Sequence, residues 1–186
     1  QDVPHVPQLS SLSKHTALAD MRHVLRHGQL RSYRSEPLLM RYVQLVVAAA
    51  LITTNKGEEP LVLLAQRPPG KSMEGLWEFP GGKVEAGDFS PEAALARELR
   101  EELSIEIAPS ALTPLTFASA DVSKKVHLLM PLFVSVDRWR GELRGAEGQE
   151  IRWVSASDLA DYPMPPADNH LVPAVRQALL RSRKRA

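Results

Sequence analysis

The stretch that most constrains this chain is Gly81-Gly82-Lys83-Val84-Glu85-Ala86-Gly87-Asp88, which runs through Ser90 and Pro91 to Arg97-Glu98-Leu99-Arg100-Glu101-Glu102-Leu103. A glycine-rich turn lets the backbone approach a neighbour closely. Behind it the pattern is helical. Ser90 offers an N-cap hydroxyl, and Pro91 suits the first helical position, where no N–H is needed. Leu95, Leu99 and Leu103 recur at four-residue spacing and form one apolar stripe. At roughly 100° per residue, Glu98, Glu101 and Glu102 fall beside that stripe within about a third of the circumference. Three like charges so close repel one another unless a cation sits among them. A hard divalent ion answers that need, because Mg²⁺ is held by one or two carboxylates together with waters and substrate phosphates. The competing explanation is a solvated, salt-bridged helix face.

The chain around this stretch has 186 residues, enough for one ordinary domain with extensions, and its 44% hydrophobic and 24% charged residues are those of a globular protein. Net charge is +1, so no global field selects a partner. Cysteine is absent, which excludes disulfides and thiolate metal sites. No apolar run reaches membrane-spanning length. Charge is uneven. Residues 1–42 carry six Lys/Arg against three acids, with four of the six His, and the chain ends Arg181-Ser182-Arg183-Lys184-Arg185. Nucleic-acid or protein contacts through these basic ends are one expectation, and a solvated tail is the other. The chain starts at Gln1, and residues 10–41 have a Ser/Arg/His-rich composition like that of organellar presequences. The expected location is intracellular, with cytoplasm and mitochondrial matrix both open.

Periodicity predicts a helix over Thr16 to Leu30, then a long strand from Tyr42 to Thr54, a turn at Asn55-Lys56-Gly57 and a second strand from Leu61 to Gln66. Trp77-Glu78-Phe79 reads as a strand end entering the glycine loop. Further strands are expected at Leu112 to Ala118, Val126 to Val136 and Ile151 to Val154, with a closing helical pattern from Leu171 to Leu180. The prolines at 163, 165 and 166 imply an extended segment up to Asp168. Strands interleaved with two helices imply an α/β fold, with a mixed sheet between helices. The domain is expected at 43–180, with 1–42 a partly helical basic extension and 181–186 a tail.

The segment GGKVEAGDFSPEAALARELREELSI resembles the signature of the Nudix hydrolases, G-x5-E-x7-R-E-U-x-E-E-x-G-U with U a bulky aliphatic. Gly82, Arg97, Glu98, Leu99, Glu101, Glu102 and Ile105 match. Three positions depart from it: Asp88 stands for the first Glu, one extra residue (Phe89 in the simplest alignment) precedes the helix, and Ser104 replaces the Gly after it. The resemblance implies the Nudix α/β/α sandwich. It also implies a Mg²⁺ or Mn²⁺ site drawn from Glu98, Glu101 and Glu102, with Gly82 among the metal-site residues and Arg97 orienting a carboxylate. RWRGELRGAEGQ resembles the region of MutT-type members that supplies a metal-bound or basic Glu from a loop, which makes Glu147 a metal and catalytic candidate, with Glu150 its neighbour. Glu85 is a lesser addition to the cluster.

Arg67, in LLAQRP, resembles a MutT-type phosphate-binding Arg, and Lys83 is a second phosphate candidate. Asp168 falls where that type has a base-reading Asn. An ionised Asp only accepts hydrogen bonds, so it would suit a base edge rich in N–H donors. Phe79 and Trp77 are candidates for stacking on a base, although aromatics at strand ends more often join the core. His127, on a buried strand, is read as a core residue. Together these imply a metal-dependent pyrophosphohydrolase that converts nucleoside triphosphates, oxidised or damaged ones included, to monophosphate and pyrophosphate. Two alternatives stand beside it: a hydrolase of RNA 5′ ends or dinucleotides, and a Nudix-fold structural or RNA-binding subunit of a larger complex.

Overall fold

The computed structural model describes residues 42–54 and 58–183. The helix expected at Thr16 to Leu30, the turn at 55–57 and the last three residues lie outside them. The described chain runs β1 (Tyr42–Thr53), β2 (Leu61–Gln66), β3 (Trp77–Glu78), β4 (Gly81–Lys83), α1 (Pro91–Leu103), β5 (Glu106–Ile107), β6 (Thr113–Asp121), β7 (Val126–Val136), β8 (Trp139–Arg140), β9 (Ile151–Val154) and α2 (Pro166–Arg183). The main sheet has the order β3-β2-β1-β7-β6, with β4 also on β1 and β9 on β2. β1 and β7 are parallel and the other pairs antiparallel, so the sheet is mixed. β5 and β8 form a separate two-stranded ribbon.

β1 shows how the sequence builds two layers. Its residues alternate faces. Val47, Ala49 and Leu51 join Ala94, Leu95, Leu99 and Leu103 of α1 in one core. Ala48, Ala50 and Ile52 join Leu171, Val175, Ala178 and Leu179 of α2 in the other. The result is the expected α/β/α sandwich. The three leucines of the α1 stripe are fully buried, and each contributes about 2 kcal/mol of apolar transfer. No helix among the described residues is long and apolar enough to cross a membrane.

Three readings need correction. α2 starts at Pro166, not Leu171, because a proline is tolerated in the first turn, and the extended segment therefore ends earlier. Arg181 and Arg183 belong to the last turn of α2 instead of a tail, where their charge suits the negative end of the helix dipole. His127 is not a core residue. Its side chain is 37% exposed, and Nδ1 lies 2.8 Å from Asp121 Oδ1 across the β6–β7 turn.

α1 starts and stops as its sequence implies. Ser90 is extended, and its Oγ accepts the Ala93 N–H at 3.1 Å. Ser104 ends the helix in the left-handed conformation at φ 58°, where glycine is the unstrained residue. Its N–H donates to Arg100 O at 3.1 Å, and its Oγ accepts from Arg144 Nε at 3.1 Å. Ser104→Gly removes the backbone strain and loses one exposed hydrogen bond. It is expected to raise stability by about 0.5 kcal/mol, read as a higher urea midpoint at unchanged m.

Candidate active site

Two glycines bring the loop and α1 together. Gly81 has φ 151°, and a Cβ there would lie 2.0 Å from Val47 O on β1. A Cβ on Gly82 would lie 2.4 Å from the carboxyl carbon of Glu98. Bare backbone at both positions lets β4 pair with β1 on one side and receive the α1 carboxylates on the other. Gly81 N–H donates to Glu102 Oε2 at 3.2 Å.

Arg97 organises the rest of the loop. Its Nε and Nη2 grip both oxygens of Asp88, at 3.1 and 2.9 Å. Nη1 donates to Glu98 at 3.0 Å and to Glu101 at 3.1 Å, and Nη2 also reaches Lys83 O at 3.0 Å. Asp88 in turn accepts the Glu85 N–H at 2.8 Å, which closes the turn. The shorter acid and the extra residue are thus accommodated: Asp88 meets a bidentate partner, and Phe89 is turned out to full exposure. The Arg97 guanidinium and the Glu85 N–H hold the Asp88 carboxyl below its ordinary range.

The loop after β8 delivers Glu147. It satisfies carbonyls at the end of α1 that have no helical partner. Ala146 N–H and Gln149 Nε2 both donate to Glu102 O at 2.8 Å, and Arg144 N–H donates to Leu103 O at 3.1 Å. This clasp holds Glu147 near enough to Glu102 for the two charges to oppose each other. Glu147 pairs with Lys71 at 2.5 Å, and Arg67 pairs with Glu78 while its Nε donates to Ser72 O at 2.6 Å. Glu147, with Glu102 behind it, holds the Lys71 ammonium above its ordinary value.

Burial and neighbouring carboxylates push several acids upward. Glu102 is raised to about 8, first by desolvation and then by the charges of Glu78, Glu98 and Glu147, against the opposing Gly81 hydrogen bond. Glu98 is raised mainly by burial, although Arg97 opposes the shift, and Glu78 is raised by burial against Arg67. Glu102 alone among these acids has no cationic partner among the described residues.

Hard carboxylate oxygens crowded together, with Glu102 lacking a cation of its own, fit a hard divalent cation, which would favour the ionised form of each. As the side chains stand, no three of His, Cys, Asp and Glu among the described residues converge on one point. Arg97 pairs with Glu98 and Glu101, and Lys71 pairs with Glu147.

Elsewhere the structure revises the expected substrate contacts. Phe79 is 3% exposed and Trp77 6%, both packed in the α2-side core, so neither ring presents a stacking face. Trp77 instead meets Tyr162 edge-on at 5.2 Å, and Arg152 lies over its ring at 5.1 Å. Asp168 lies in the first turn of α2, and its Oδ1 accepts the Phe79 N–H at 3.0 Å. Burial raises its carboxyl to about 7, with Glu78 adding to the shift and the Phe79 hydrogen bond and Arg67 opposing it. Glu150 pairs with Arg152 on the sheet. Lys83 is exposed at the end of β4, and Glu85 is exposed beside it. Sequence reasoning missed Glu78 and Lys71. Glu78 was legible only as the polar member of the Trp77-Glu78-Phe79 alternation, and Lys71 only as a second cation in the Arg67 loop.

A family model for the NUDIX domain matches residues 44–175. The chain belongs to the Nudix family. A CTP pyrophosphohydrolase of Escherichia coli is 37% identical over 132 residues, which is 71% of this chain and 92% of the relative. An 8-oxo-dGTP diphosphatase of Haemophilus influenzae is 37% identical over 126 residues, 68% of this chain and 87% of the relative. The solution structure of the E. coli ORF135 protein superposes with a TM-score of 0.60 at 36% identity, covering 77% of this chain and 94% of that one. The family match runs from β1 through α1 into α2, and the chain is a Nudix hydrolase. A divalent metal is a general requirement of that family.

The raised Glu102 carboxyl sets a pH dependence for the metal-free protein. Its folded pKa lies above the unfolded one, so its contribution to stability is present below about pH 4.5 and is lost as pH rises toward 8. Glu102→Gln is expected to stabilise the metal-free protein at pH 8 by on the order of 3 kcal/mol and to make little difference at pH 4. Denaturant titrations of both proteins in chelator at the two pH values check this.

Proposed function

We propose that this Nudix hydrolase converts nucleoside triphosphates to monophosphate and pyrophosphate and serves to sanitise the nucleotide pool, with Mg²⁺ or Mn²⁺ as its metal. The observation that carries this reading is the placement of Glu147 beside the buried Glu102 by the clasp on the end of α1. It brings one loop carboxylate to the side of the helix where Glu102 has no cationic partner among the described residues. Relatives named for CTP and for 8-oxo-dGTP support the substrate class.

In this reading Glu98, Glu101 and Glu102 hold the metal, with Gly82 leaving room for the Glu98 carboxylate. A bound divalent ion supplies charge neutralisation at the phosphates and acidifies a coordinated water. Glu147 accepts a proton from the attacking water or completes the ligand set. Arg97 keeps Glu98 and Glu101 from folding away. Arg67 and Lys83 supply positive charge to the phosphates. This division suits phosphoryl chemistry, where positioning and electrostatics supply most of the catalysis.

In this reading Asp168 is the base reader through its second carboxyl oxygen, since the residue is 4% exposed and its Oδ1 accepts the Phe79 N–H. With a carboxyl near 7, it accepts hydrogen bonds when ionised and can also donate one when protonated. Above that pH it favours edges that present N–H groups, such as the amino group of cytosine or adenine, or the N7–H of 8-oxoguanine. Below it the discrimination relaxes.

A phosphate-release panel over normal and oxidised nucleoside triphosphates with Mg²⁺ tests the function. Glu101→Gln is expected to lose at least about a hundredfold in kcat. Full activity in that variant, or turnover of no substrate by the parent protein, removes the assignment. For the base reader, Asp168→Asn should change the ratio of kcat/KM values between bases and remove its dependence on pH between 6 and 8. An equal loss for every base excludes that role.

A further inference from the structure

Lys71 stands in a loop that closes on itself. Arg67 N–H donates to Leu76 O at 2.9 Å, Gly75 N–H to Arg67 O at 3.0 Å, and Leu76 N–H to Met73 O at 3.2 Å. The Gly70 N–H is held by Glu74 at 2.9 Å, and the Arg67 side chain braces the Ser72 carbonyl. The loop therefore presents its side chains from a fixed frame. Its two cations are held differently. Arg67 is tied twice, to Glu78 and to the loop backbone, with its side chain 25% exposed. Lys71 has a side chain 52% exposed and meets Glu147 alone among the described residues.

Glu147 is the carboxylate whose neighbour Glu102 has no cation of its own. A divalent ion on those oxygens would reverse the field at Lys71, from attraction by the Glu147 carboxylate to repulsion by a double positive charge. A nucleoside triphosphate carries more negative charge than one divalent ion cancels, so a second acceptor for the ammonium arrives with the substrate. A lysine suits such an exchange. Its charge is compact, its stem is flexible, and its three donors need no fixed plane.

We propose that Lys71 is a phosphate-binding residue held in reserve on Glu147. In the metal-free protein it neutralises that carboxylate, and in the loaded enzyme it transfers to the substrate polyphosphate. The inference rests on the reading of Glu147 as a metal-site carboxylate and adds a residue which that reading does not use.

The exchange predicts opposite effects on two affinities. Lys71→Met removes a competitor for Glu147, so Mn²⁺ alone, titrated by calorimetry or electron paramagnetic resonance without nucleotide, should bind several-fold tighter. The same variant should raise KM for the nucleotide about tenfold with kcat changed less, because one charge-assisted contact to phosphate is gone. Lys71→Arg should restore most of the KM. A Lys71→Met protein that binds Mn²⁺ more weakly, or whose two affinities are both unchanged, overturns the exchange. In the first case the lysine only supports the loop, and in the second it is a solvated surface charge. Glu147→Gln separates the two levels. If it leaves both turnover and Mn²⁺ affinity intact, the reading of Glu147 fails. If it lowers them while Lys71→Met does nothing, only the exchange fails.

Discussion

The site depends on the absence of side chains at Gly81 and Gly82. β1 is already paired on its other edge with β7, and β2 occupies the end of the shared edge, so β4 has one place to dock. Docking there puts Gly81 against Val47 O and leaves the Glu98 carboxyl directly over Gly82. A methyl group at either position would push β4 off the sheet or the carboxylate off the loop. Once the strand is seated, α1 can bury its leucine stripe and still turn Glu98 and Glu102 onto peptide groups instead of into solvent. Packing and chemistry are set by the same contact, and the register of the first fixes the position of the second.

That contact creates an electrostatic problem which the surrounding loops share out. Arg97 serves Asp88, Glu98 and Glu101 together, Arg67 serves Glu78, and Lys71 serves Glu147. Glu102, given only a backbone N–H, keeps the strongest upward shift among these acids. Three cations are thus shared among these carboxylates, and no three of the acid side chains among the described residues converge on one point. In the proposed function a divalent ion exchanges with pairs that already exist, and the pairs differ in how much each loses. Arg97 grips Asp88 with two donors and can release Glu101 without leaving its seat, whereas Lys71 has one pair and either keeps it or gives it up.

Much of this was legible in the sequence, because the signals were local. The cap at Ser90, the proline after it and the four-residue leucine spacing set α1, and the unbroken apolar run of β1 marked a strand covered on both faces. Asp88 and Phe89 looked like a defect when counted along the motif. In space the shorter acid is reached by a long guanidinium, and an inserted residue costs little where the chain can bulge into solvent. What could not be read depended on contacts distant in sequence. The burial of Phe79 follows from α2 covering it, and the raised Asp168 carboxyl follows from that same burial with Glu78 nearby. Lys71 and Glu147 are 76 positions apart, and no spacing rule joins them. Proline misled in one place: at 166 it starts a helix that the residues before it seemed to forbid.

Ser104 shows how the two ends of α1 are coupled. A residue with a Cβ is held left-handed there, and the strain persists because the chain beyond β8 folds back over the same turn. Arg144 reaches the Ser104 hydroxyl and the Leu103 carbonyl, and two residues later Ala146 takes the Glu102 carbonyl. A helix end left open would let Glu102 fray away from Gly81. Closed by this loop, it holds Glu102 in its buried position and sets Glu147 beside it. The loop that completes the carboxylate cluster is thus the same one that stops the helix, so a change in that loop acts on the cluster through the position of Glu102 as well as through the loss of Glu147.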